Sequence, residues 1–390
     1  MAIEIKTMNK ISEKGLALFD ERYHVADDVE NEDAILVRSA KLHDYPMGEN
    51  LKAIARAGAG VNNIPVKDCA DKGIVVFNTP GANANAVKEL VLCSLFLSSR
   101  RVVEGIEWTK TLENNDGFGK AVEKGKKQFV GPEIEGKTLG VIGLGAIGVS
   151  VANAAVKLGM NVIGYDPFIS VNAAWKLSKW VKKAATIDEI FKESDYITVH
   201  VPANDSTKNM IDAKGIAEMK PGVRVLNFAR GPLVNKEDMI DAVKKGKVAR
   251  YITDFGDYDY AHTENVIVMP HLGASTPESE ENCATMAVRE VRDFLENGNI
   301  QNSVNFPTVV EPRTTTYRLC IIHKNIPNML AKFAGTIAKA NMNIENMVNK
   351  ARGDYAYTII DTNDLSEDIT KAIEQQEGVI KARIIAKVLF

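Results

Sequence analysis

The chain has 390 residues, a formal net charge of −3 at pH 7, 45% hydrophobic residues and 25% charged residues. This is the composition of a folded protein, and a prior of roughly 100–200 residues per domain predicts two to three domains. A slightly acidic chain has no general basic field, so the composition excludes nucleic acid as a partner. Anionic ligands must be bound by local Arg, Lys or backbone N–H groups.

The N-terminal residues and the cysteines limit where the protein is expected to work. Residues Met1–Lys6 show no basic segment followed by an apolar run, and no stretch of about 20 apolar residues occurs, so we expect neither secretion nor a membrane span. The four cysteines have neither metal-ligand nor dithiol spacing. We predict no metal site, and buried thiols in a reducing cytoplasm, at Cys69, Cys93, Cys283 and Cys320.

Short apolar strands alternate with polar helical stretches near the start of the chain. The runs Ala34–Val37, Leu51–Ala55 and Ile74–Phe77 predict buried strands that end in turns rich in Arg, Gly or Asn. This alternation favours a parallel sheet flanked by helices. A long helical pattern follows, from Ala84 to about Thr111.

The middle of the chain predicts a second parallel sheet. Leu139–Gly164 has the pattern strand, glycine turn, helix, strand, and four more apolar strands follow, which makes six, the number in a full dinucleotide-binding sheet. These four are Tyr196–Val201, Val223–Phe228, Tyr251–Asp254 and Val266–Met269.

The last strand of the middle region leads into a helix and then into a tail with its own pattern. Glu278–Glu296 is a helical pattern that we expect to lead the chain back to the N-terminal domain, and Asn305–Pro312, with two prolines and no periodicity, predicts a linker. The tail has the order βαββαβ, a ferredoxin-like pattern. Its predicted elements are Tyr317–His323, Met329–Ala340, Ile344–Ala351, Tyr355–Asp361, Ile369–Gln376 and Ile380–Ala386.

Gly143–Gly148 fits the dinucleotide-binding pattern G-x-G-x-x-G between the strand Leu139–Ile142 and a helix. The first N–H groups of such a helix can bind a pyrophosphate. Asp166 ends the next strand, where a carboxylate accepts both ribose hydroxyls of NAD and repels the extra phosphate of NADP. The sequence therefore predicts a Rossmann-type domain that binds NAD.

Two further residues at strand ends can carry chemistry. His271 follows a buried strand, and a neutral imidazole there can take the proton of a secondary alcohol as hydride leaves. Arg230 follows the strand Val223–Phe228, where a guanidinium can hold a carboxylate through two hydrogen bonds. From spacing alone, a packing histidine and a surface arginine remain open as alternatives.

These motifs occur in the order and spacing of the D-isomer-specific 2-hydroxyacid dehydrogenases, and the chain resembles that family over nearly all of residues 1–307. The resemblance implies that His271 is the acid/base and Arg230 the substrate-binding arginine. It implies cofactor-binding positions at Gly143, Gly145, Ala146, Ile147, Gly148, Asp166, Val201, Pro202, Ala229, Asp254, Gly273 and Ala274.

N-terminal segments narrow the resemblance to family members that act on 3-phosphoglycerate, a substrate with about three negative charges that needs convergent cations. The implied substrate-binding residues are Arg38, Ser39, Arg56, Ala59, Gly60 and Asn83. A further basic stretch consists of Lys120, Lys124, Lys126 and Lys127. It could approach the phosphate of a substrate bound in the same or in a neighbouring subunit, or it could be a solvated charged face.

The sequence departs from the family beside His271. The family orients its histidine with a glutamate in a D-x-F-x-x-E-P run, whereas the run that begins at Asp254 here has no Glu-Pro. Counting from Asp254 puts Asp259 at the glutamate's place, with Asp257 and Glu264 as alternatives. A carboxylate at that place can fix the imidazole tautomer.

The tail resembles an ACT domain, a small amino-acid-binding module. The resemblance implies effector contacts by His323, Asn325 and Asn343, with L-serine as the effector. The family usually has glycine where Asn328 stands, so a purely structural dimerisation module is the alternative.

The predicted fold is α/β, with a Rossmann-type doubly wound parallel sheet inserted in a flavodoxin-like substrate domain and a C-terminal βαββαβ ferredoxin-like domain. We predict a substrate-binding domain at 1–95 and 282–307, an NAD-binding domain at 96–281, a linker at 308–315 and a regulatory domain at 316–390.

The predicted function is the NAD-dependent oxidation of 3-phosphoglycerate to 3-phosphohydroxypyruvate, the first step of serine biosynthesis, in a cytoplasmic homo-oligomer. One alternative is a dehydrogenase for another 2-hydroxy acid, with glyoxylate or hydroxypyruvate as the keto acid. The other alternative is a non-catalytic NAD-sensing binding protein.

Overall fold

The computed structural model describes residues 2–114, 116–364 and 368–386. The chain divides into two compact units, unit 1 from residues 1–82 and 277–390 and unit 2 from residues 83–276. The middle of the chain is therefore an insertion into the first unit. The finer domain boundaries expected from the sequence stay predictions.

The described residues form three sheets and the helices that cover them. The strands are β1 Ile3–Thr7, β2 Tyr23–Ala26, β3 Ala34–Val37, β4 Ala53–Arg56, β5 Val75–Asn78, β6 Thr138–Ile142, β7 Asn161–Tyr165, β8 Val181–Lys183, β9 Tyr196–Val199, β10 Val223–Asn227, β11 Val248–Thr253, β12 Val266–Val268, β13 Tyr317–Lys324, β14 Asn346–Arg352, β15 Tyr355–Thr362 and β16 Val379–Ala386. The helices are α1 Glu13–Leu16, α2 Val66–Asp71, α3 Ala84–Ser99, α4 Val102–Lys110, α5 Phe118–Gly125, α6 Ala146–Lys157, α7 Val171–Lys176, α8 Ile187–Glu193, α9 Ala213–Glu218, α10 Lys236–Lys244, α11 Tyr258–Ala261, α12 Pro277–Asn297, α13 Met329–Lys339 and α14 Ile369–Glu374.

The first sheet of unit 1 is parallel and has the order β2-β1-β3-β4-β5. This is the flavodoxin-like order that we predicted for the substrate domain. The sequence pattern identified β3, β4 and β5, whose residues are almost all buried. It did not identify β1 and β2, because both are largely half-buried and give a weaker apolar signal.

Unit 2 is built on a seven-stranded parallel sheet with the order β12-β11-β10-β9-β6-β7-β8. The chain winds outward from β6 in both directions, so the doubly wound prediction is confirmed, and the order changes direction between β6 and β9. Six of the seven strands were predicted. The seventh, β8, is a three-residue edge strand with two exposed lysines, Lys182 and Lys183, and therefore carries no buried apolar run.

The long helical pattern after residue 84 is two helices. Arg100 has an extended backbone, with φ −113° and ψ 137°, and separates α3 from α4. The hydroxyls of Ser98 and Ser99 donate to the carbonyl of Leu95, a local bonding pattern that competes with helix continuation. On α3, Cys93 is exposed, so the prediction of a buried thiol is wrong there, whereas the other three cysteines are buried.

The tail forms the predicted βαββαβ unit, an antiparallel sheet with the order β14-β15-β13-β16. It packs within unit 1 and shares a hydrophobic core with α12 and the first sheet. The segment predicted as a linker carries no named strand or helix, yet Phe306 and Val309 are fully buried in that core. Arg318 on β13 donates to the carbonyls of Glu311 and Pro312, and so holds the segment against the tail.

None of the described helices is long and apolar enough to cross a membrane.

Candidate active site

Three glycines shape the turn between β6 and α6 at the point where the sheet order reverses. Gly143 has φ +91°, and a Cβ there would lie 2.5 Å from the carbonyl oxygen of His200. A Cβ on Gly148 would lie 1.9 Å from the carbonyl oxygen of Gly143, whereas a Cβ on Gly145 would meet no atom within 4 Å. Two glycines thus permit close backbone packing and the third leaves open space at the start of α6, which fits a bound pyrophosphate.

Asp166 lies directly after β7 and is fixed by two backbone groups. Its Oδ2 accepts the N–H of Leu144 at 2.8 Å, and its Oδ1 accepts the N–H of Phe168 at 2.8 Å. Each carboxylate oxygen can accept a further hydrogen bond. The carboxylate is therefore positioned beside the glycine turn with capacity left for the ribose hydroxyls of a dinucleotide.

The other predicted cofactor positions in unit 2 also lie at strand ends or at the start of α6. This is the edge of a parallel sheet at which ligands bind. Ala146 and Ile147 begin α6, Val201 and Pro202 follow β9, Ala229 follows β10, and Gly273 and Ala274 lie in the turn before α12.

His200 is a polar residue at this edge that the sequence reasoning missed. Its Nε2 lies 3.0 Å from the hydroxyl oxygen of Thr198, and its Nδ1 is buried without a partner in the described residues. Burial lowers the pKa of His200 to about 3, so the ring is neutral. The available signal was its position directly before Val201 and Pro202.

Asp254, His271 and Arg230 converge in unit 2. Asp254 is only 2% exposed, receives the backbone N–H of Gly273, and has a buried Oδ1 without a partner among the described residues. Burial raises the pKa of Asp254, and the positive charges of His271 and Arg230 oppose that rise. The orphaned oxygen fits an amide donor such as the carboxamide of a nicotinamide ring.

His271 and Arg230 are both exposed, and their surroundings restrain them. The ring of Phe255 packs edge-on against the His271 ring, with centroids 5.1 Å apart. Nη1 of Arg230 donates to the carbonyl of Ala229 at 2.6 Å, and the side chain of Asn227 donates to the carbonyl of Arg230 at 2.9 Å. An imidazole and a guanidinium are thus held near one buried carboxylate.

The structure does not place the predicted orienting carboxylates against His271. Lys236 donates to Asp257 at 3.1 Å and to Asp259 at 2.6 Å, and Asp257 also caps α11. Glu264 is 83% exposed and lies 3.7 Å from Arg101. Residues 258–261 thus form a helical turn, capped by Asp257, in place of a Glu-Pro run. The residue whose pKa is lowered by the charge of His271 is instead Asp254, which lies nearby.

In unit 1, three of the predicted substrate residues line one cavity of about 590 Å³, together with a further cation, Lys41, that the sequence reasoning did not select. The Arg56 Nε donates to the carbonyl of Arg38 at 3.1 Å, and the Arg38 guanidinium lies 2.6 Å from a carboxylate oxygen of Glu280. The lining residues are Arg38, Ser39, Lys41, His43, Asp44, Arg56, Asn62 and Asn63. The excess of cations suits a multiply charged anion.

The remaining predicted substrate residues are not among those that line this cavity. The carbonyl of Ala59 accepts the side-chain N–H of Asn78 at 2.6 Å, and Gly60 follows in the same loop. Asn83 precedes α3 in unit 2. The predicted basic stretch lies on α5 and the 3₁₀ turn after it, where Lys126 pairs with Glu123 at 2.5 Å.

The predicted effector residues of the tail are separated. His323 is 2% exposed, its Nε2 lies 2.9 Å from the Thr358 hydroxyl oxygen, and its Nδ1 lies 2.8 Å from the carbonyl oxygen of Lys324. Asn325 follows the last residue of β13, whereas Asn343 precedes β14, whose start lies at the opposite end of the sheet. One chain therefore does not bring the three together.

The backbone conformation of Asn328 shows why asparagine is tolerated where the family usually has glycine. Its backbone lies in the left-handed region, with φ +69°, immediately before α13. Glycine adopts this conformation most readily, and asparagine is among the few other residues that adopt it at low cost.

A glycine turn that can hold a pyrophosphate, together with an imidazole and a guanidinium near a buried carboxylate, defines a dinucleotide-binding oxidoreductase. Comparison with known proteins agrees: residues 93–273 match the NAD binding domain of D-isomer specific 2-hydroxyacid dehydrogenases. A D-3-phosphoglycerate dehydrogenase of Synechocystis sp. is 36% identical over 73% of this chain, which spans 50% of that relative's length. A hydroxypyruvate reductase of Thermotoga maritima is 36% identical over 66% of this chain and 83% of that relative.

Solved structures support the same conclusion. The NAD⁺-bound 3-phosphoglycerate dehydrogenase of Entamoeba histolytica aligns with a TM-score of 0.60 and 26% identity, over 78% of this chain and 99% of that one. The chain belongs to the D-isomer specific 2-hydroxyacid dehydrogenase family. Its cofactor is NAD.

Proposed function

We propose that the protein is an NAD-dependent D-3-phosphoglycerate dehydrogenase. The observation that carries this proposal is the cavity lined by the three cations Arg38, Lys41 and Arg56, because unphosphorylated 2-hydroxy acids do not need so many cations. The similarity to the Synechocystis enzyme supports the same substrate. The reaction belongs to the serine-biosynthetic route.

In the proposed mechanism, NAD supplies the hydride acceptor. The neutral imidazole of His271 takes the proton of the 2-hydroxyl group while the carbon atom that bears it loses hydride. Arg230 binds the substrate carboxylate and stabilises the developing carbonyl oxygen. Asp254, buried near His271 and Arg230, stabilises the imidazolium that forms. Arg38 and Arg56 bind the phosphate.

The test is the rate of NADH formation from 3-phosphoglycerate beside a panel of unphosphorylated 2-hydroxy acids, for the unchanged protein and for Arg38→Met and Arg56→Met. We expect a preference for 3-phosphoglycerate and a rise in its KM in both variants, with little change toward hydroxypyruvate in the reverse reaction. If the two variants changed the KM for 3-phosphoglycerate and for hydroxypyruvate equally, phosphate binding at this cavity would be contradicted. Lys339→Met, an exposed charge change on α13, is the matched control.

A second candidate is reduction of hydroxypyruvate or a related 2-keto acid, favoured by the similarity to the Thermotoga reductase over 83% of its length. The same panel separates the two, because a reductase of this kind would use hydroxypyruvate at least as well as the phosphorylated substrate. A non-catalytic NAD-sensing protein would bind NAD and form no NADH from any substrate of the panel.

We further propose that L-serine regulates the enzyme through the tail, in a homo-oligomer. Asn343 and Asn325 lie at opposite ends of one sheet, so a serine site that uses both needs Asn343 from one subunit and Asn325 from another. The proposal therefore predicts that Asn343→Ala and Asn325→Ala each abolish inhibition by serine without changing the uninhibited rate. Inhibition that persists in both variants would contradict it. The cytoplasmic location stays a prediction.

A further inference from the structure

A cavity of about 530 Å³ lies along one face of α12 in unit 1, bordered by Gly81 and Ala82 and by the residues that follow the helix. The helix presents its side chains at helical spacing, and the loop after α12 closes the other side. Its polar lining includes Asn282, Thr285, Arg289, Glu290, Asp293 and Asn302. The volume is in the range typical of small-molecule sites.

Glu290 is the unusual member of this lining. The residue is only 8% exposed, its Oε1 accepts the side-chain N–H of Asn302 at 2.7 Å, and its Oε2 is buried without a hydrogen-bond partner in the described chain. Burial raises the pKa of Glu290 to about 8, against one lowering contact from Asn302. A buried acceptor without a partner is costly, and a ligand with N–H donors would relieve that cost.

The charges next to Glu290 have opposite signs. Oδ1 of Asp293 accepts side-chain N–H groups of Asn297 at 2.9 Å and Asn299 at 3.1 Å, so this second carboxylate is held in place. Arg289 is exposed, and within the described residues it makes neither an ion pair nor a hydrogen bond. The cavity therefore offers the carboxylate of Asp293, the buried carboxyl group of Glu290, whose charged form a bound ammonium group would stabilise, and the guanidinium of Arg289.

Each simple ion would match only part of this lining. A plain cation would leave Arg289 unpaired and be repelled by it, and a plain anion would meet two carboxylates. A molecule with an ammonium group next to a carboxylate satisfies both. We propose that this cavity binds a free α-amino acid, with its ammonium group on Glu290 and Asp293 and its carboxylate on Arg289. The volume leaves room for the amino-acid side chain.

The test is calorimetric titration of the full-length protein with single L-amino acids at millimolar concentrations. We expect at least one to bind saturably and its N-acetyl and amide derivatives to fail, because each lacks one charge. Glu290→Gln and Arg289→Met should each weaken binding by about tenfold or more, the loss expected for one hydrogen bond to a charged group. Glu278→Gln, on the same helix outside the cavity, is the matched control and should bind normally.

Asn325→Ala and Asn343→Ala separate this cavity from the tail. If they leave the binding intact while Glu290→Gln weakens it, the cavity on α12 is the site. Binding lost with the tail variants and retained with Glu290→Gln and Arg289→Met would overturn the proposal, as would the absence of binding for every amino acid. The Gln variant keeps the acceptor for Asn302, so a change in fold does not account for its effect; unchanged circular dichroism checks this.

Discussion

Three buried carboxylates, in different parts of the molecule, differ in what surrounds them. Asp361 in the tail is 1% exposed and bound through both oxygens by Arg318, at 2.6 and 2.9 Å. Within the described residues, Asp254 in unit 2 lies near His271 and Arg230 and keeps one oxygen without a partner, and Glu290 on α12 has only the Asn302 amide. A fully paired carboxylate is structural, whereas the two with an orphaned oxygen lie where a ligand can complete the pairing.

The comparison is tested most strongly at His271, one of the two basic side chains near Asp254. His271→Asn removes the proposed base, so kcat should fall by about 10²–10⁴-fold. NAD affinity, measured by calorimetry, should remain because the glycine turn is untouched. An unchanged rate of NADH formation would remove the histidine from the mechanism. His262→Asn, an exposed histidine on the same unit, is the control.

The next largest effect is expected where the carboxylate is fully paired. Arg318→Met leaves Asp361 buried without its counter-charge, which should cost about 3–5 kcal/mol of unfolding free energy. Thermal and urea unfolding measure this, and the double variant with Asp361→Leu should recover much of the loss. A single variant as stable as the unchanged protein would show that the pair contributes little.

Replacing Glu290 should raise the free energy of unfolding, whereas replacing Arg318 should lower it. Its folded pKa of about 8 lies above the unfolded value of about 4.3, so its contribution to stability is present below the unfolded pKa and is lost as the pH rises toward 8. Glu290→Gln should therefore be more stable than the unchanged protein at pH 8, by up to a few kcal/mol, and nearly equal at pH 4.5. Unfolding midpoints at the two pH values, with Glu278→Gln as control, measure the difference. Equal pH dependence in both proteins would refute the assignment.

The smallest effect is expected at the exposed pair of Arg38 and Glu280, which are 42% and 44% exposed. If Arg38 binds the substrate phosphate as proposed, Glu280 competes with that phosphate for the guanidinium, and exposed pairs are worth only about 0–1 kcal/mol. Glu280→Gln should lower the KM for 3-phosphoglycerate by a few-fold with kcat unchanged. Glu281→Gln on the same helix is the control, and a raised KM in Glu280→Gln would contradict the competition.

Local patterns made much of the fold predictable. The glycine turn at 143–148, Asp166 after β7 and the βαββαβ order of the tail were all recognisable, because strand alternation, helical periodicity and turn glycines depend on neighbouring residues. Where the local signal was weak, prediction failed. The edge strand β8 has too few apolar residues, and the helix break at Arg100 depends on the hydroxyl bonds of Ser98 and Ser99.

The amino-acid order was thus enough for the two α/β sheets, the cofactor turn and the identity of His271 and Arg230 as candidates. Long-range packing decided which polar groups lie close together. Asp257 and Asp259 pair with Lys236, Asp254 lies near His271, and Glu290 is buried beside Asn302. No periodicity reports these pairings, because electrostatic partners are chosen by distance in space and by burial, and both exist only after the chain has folded.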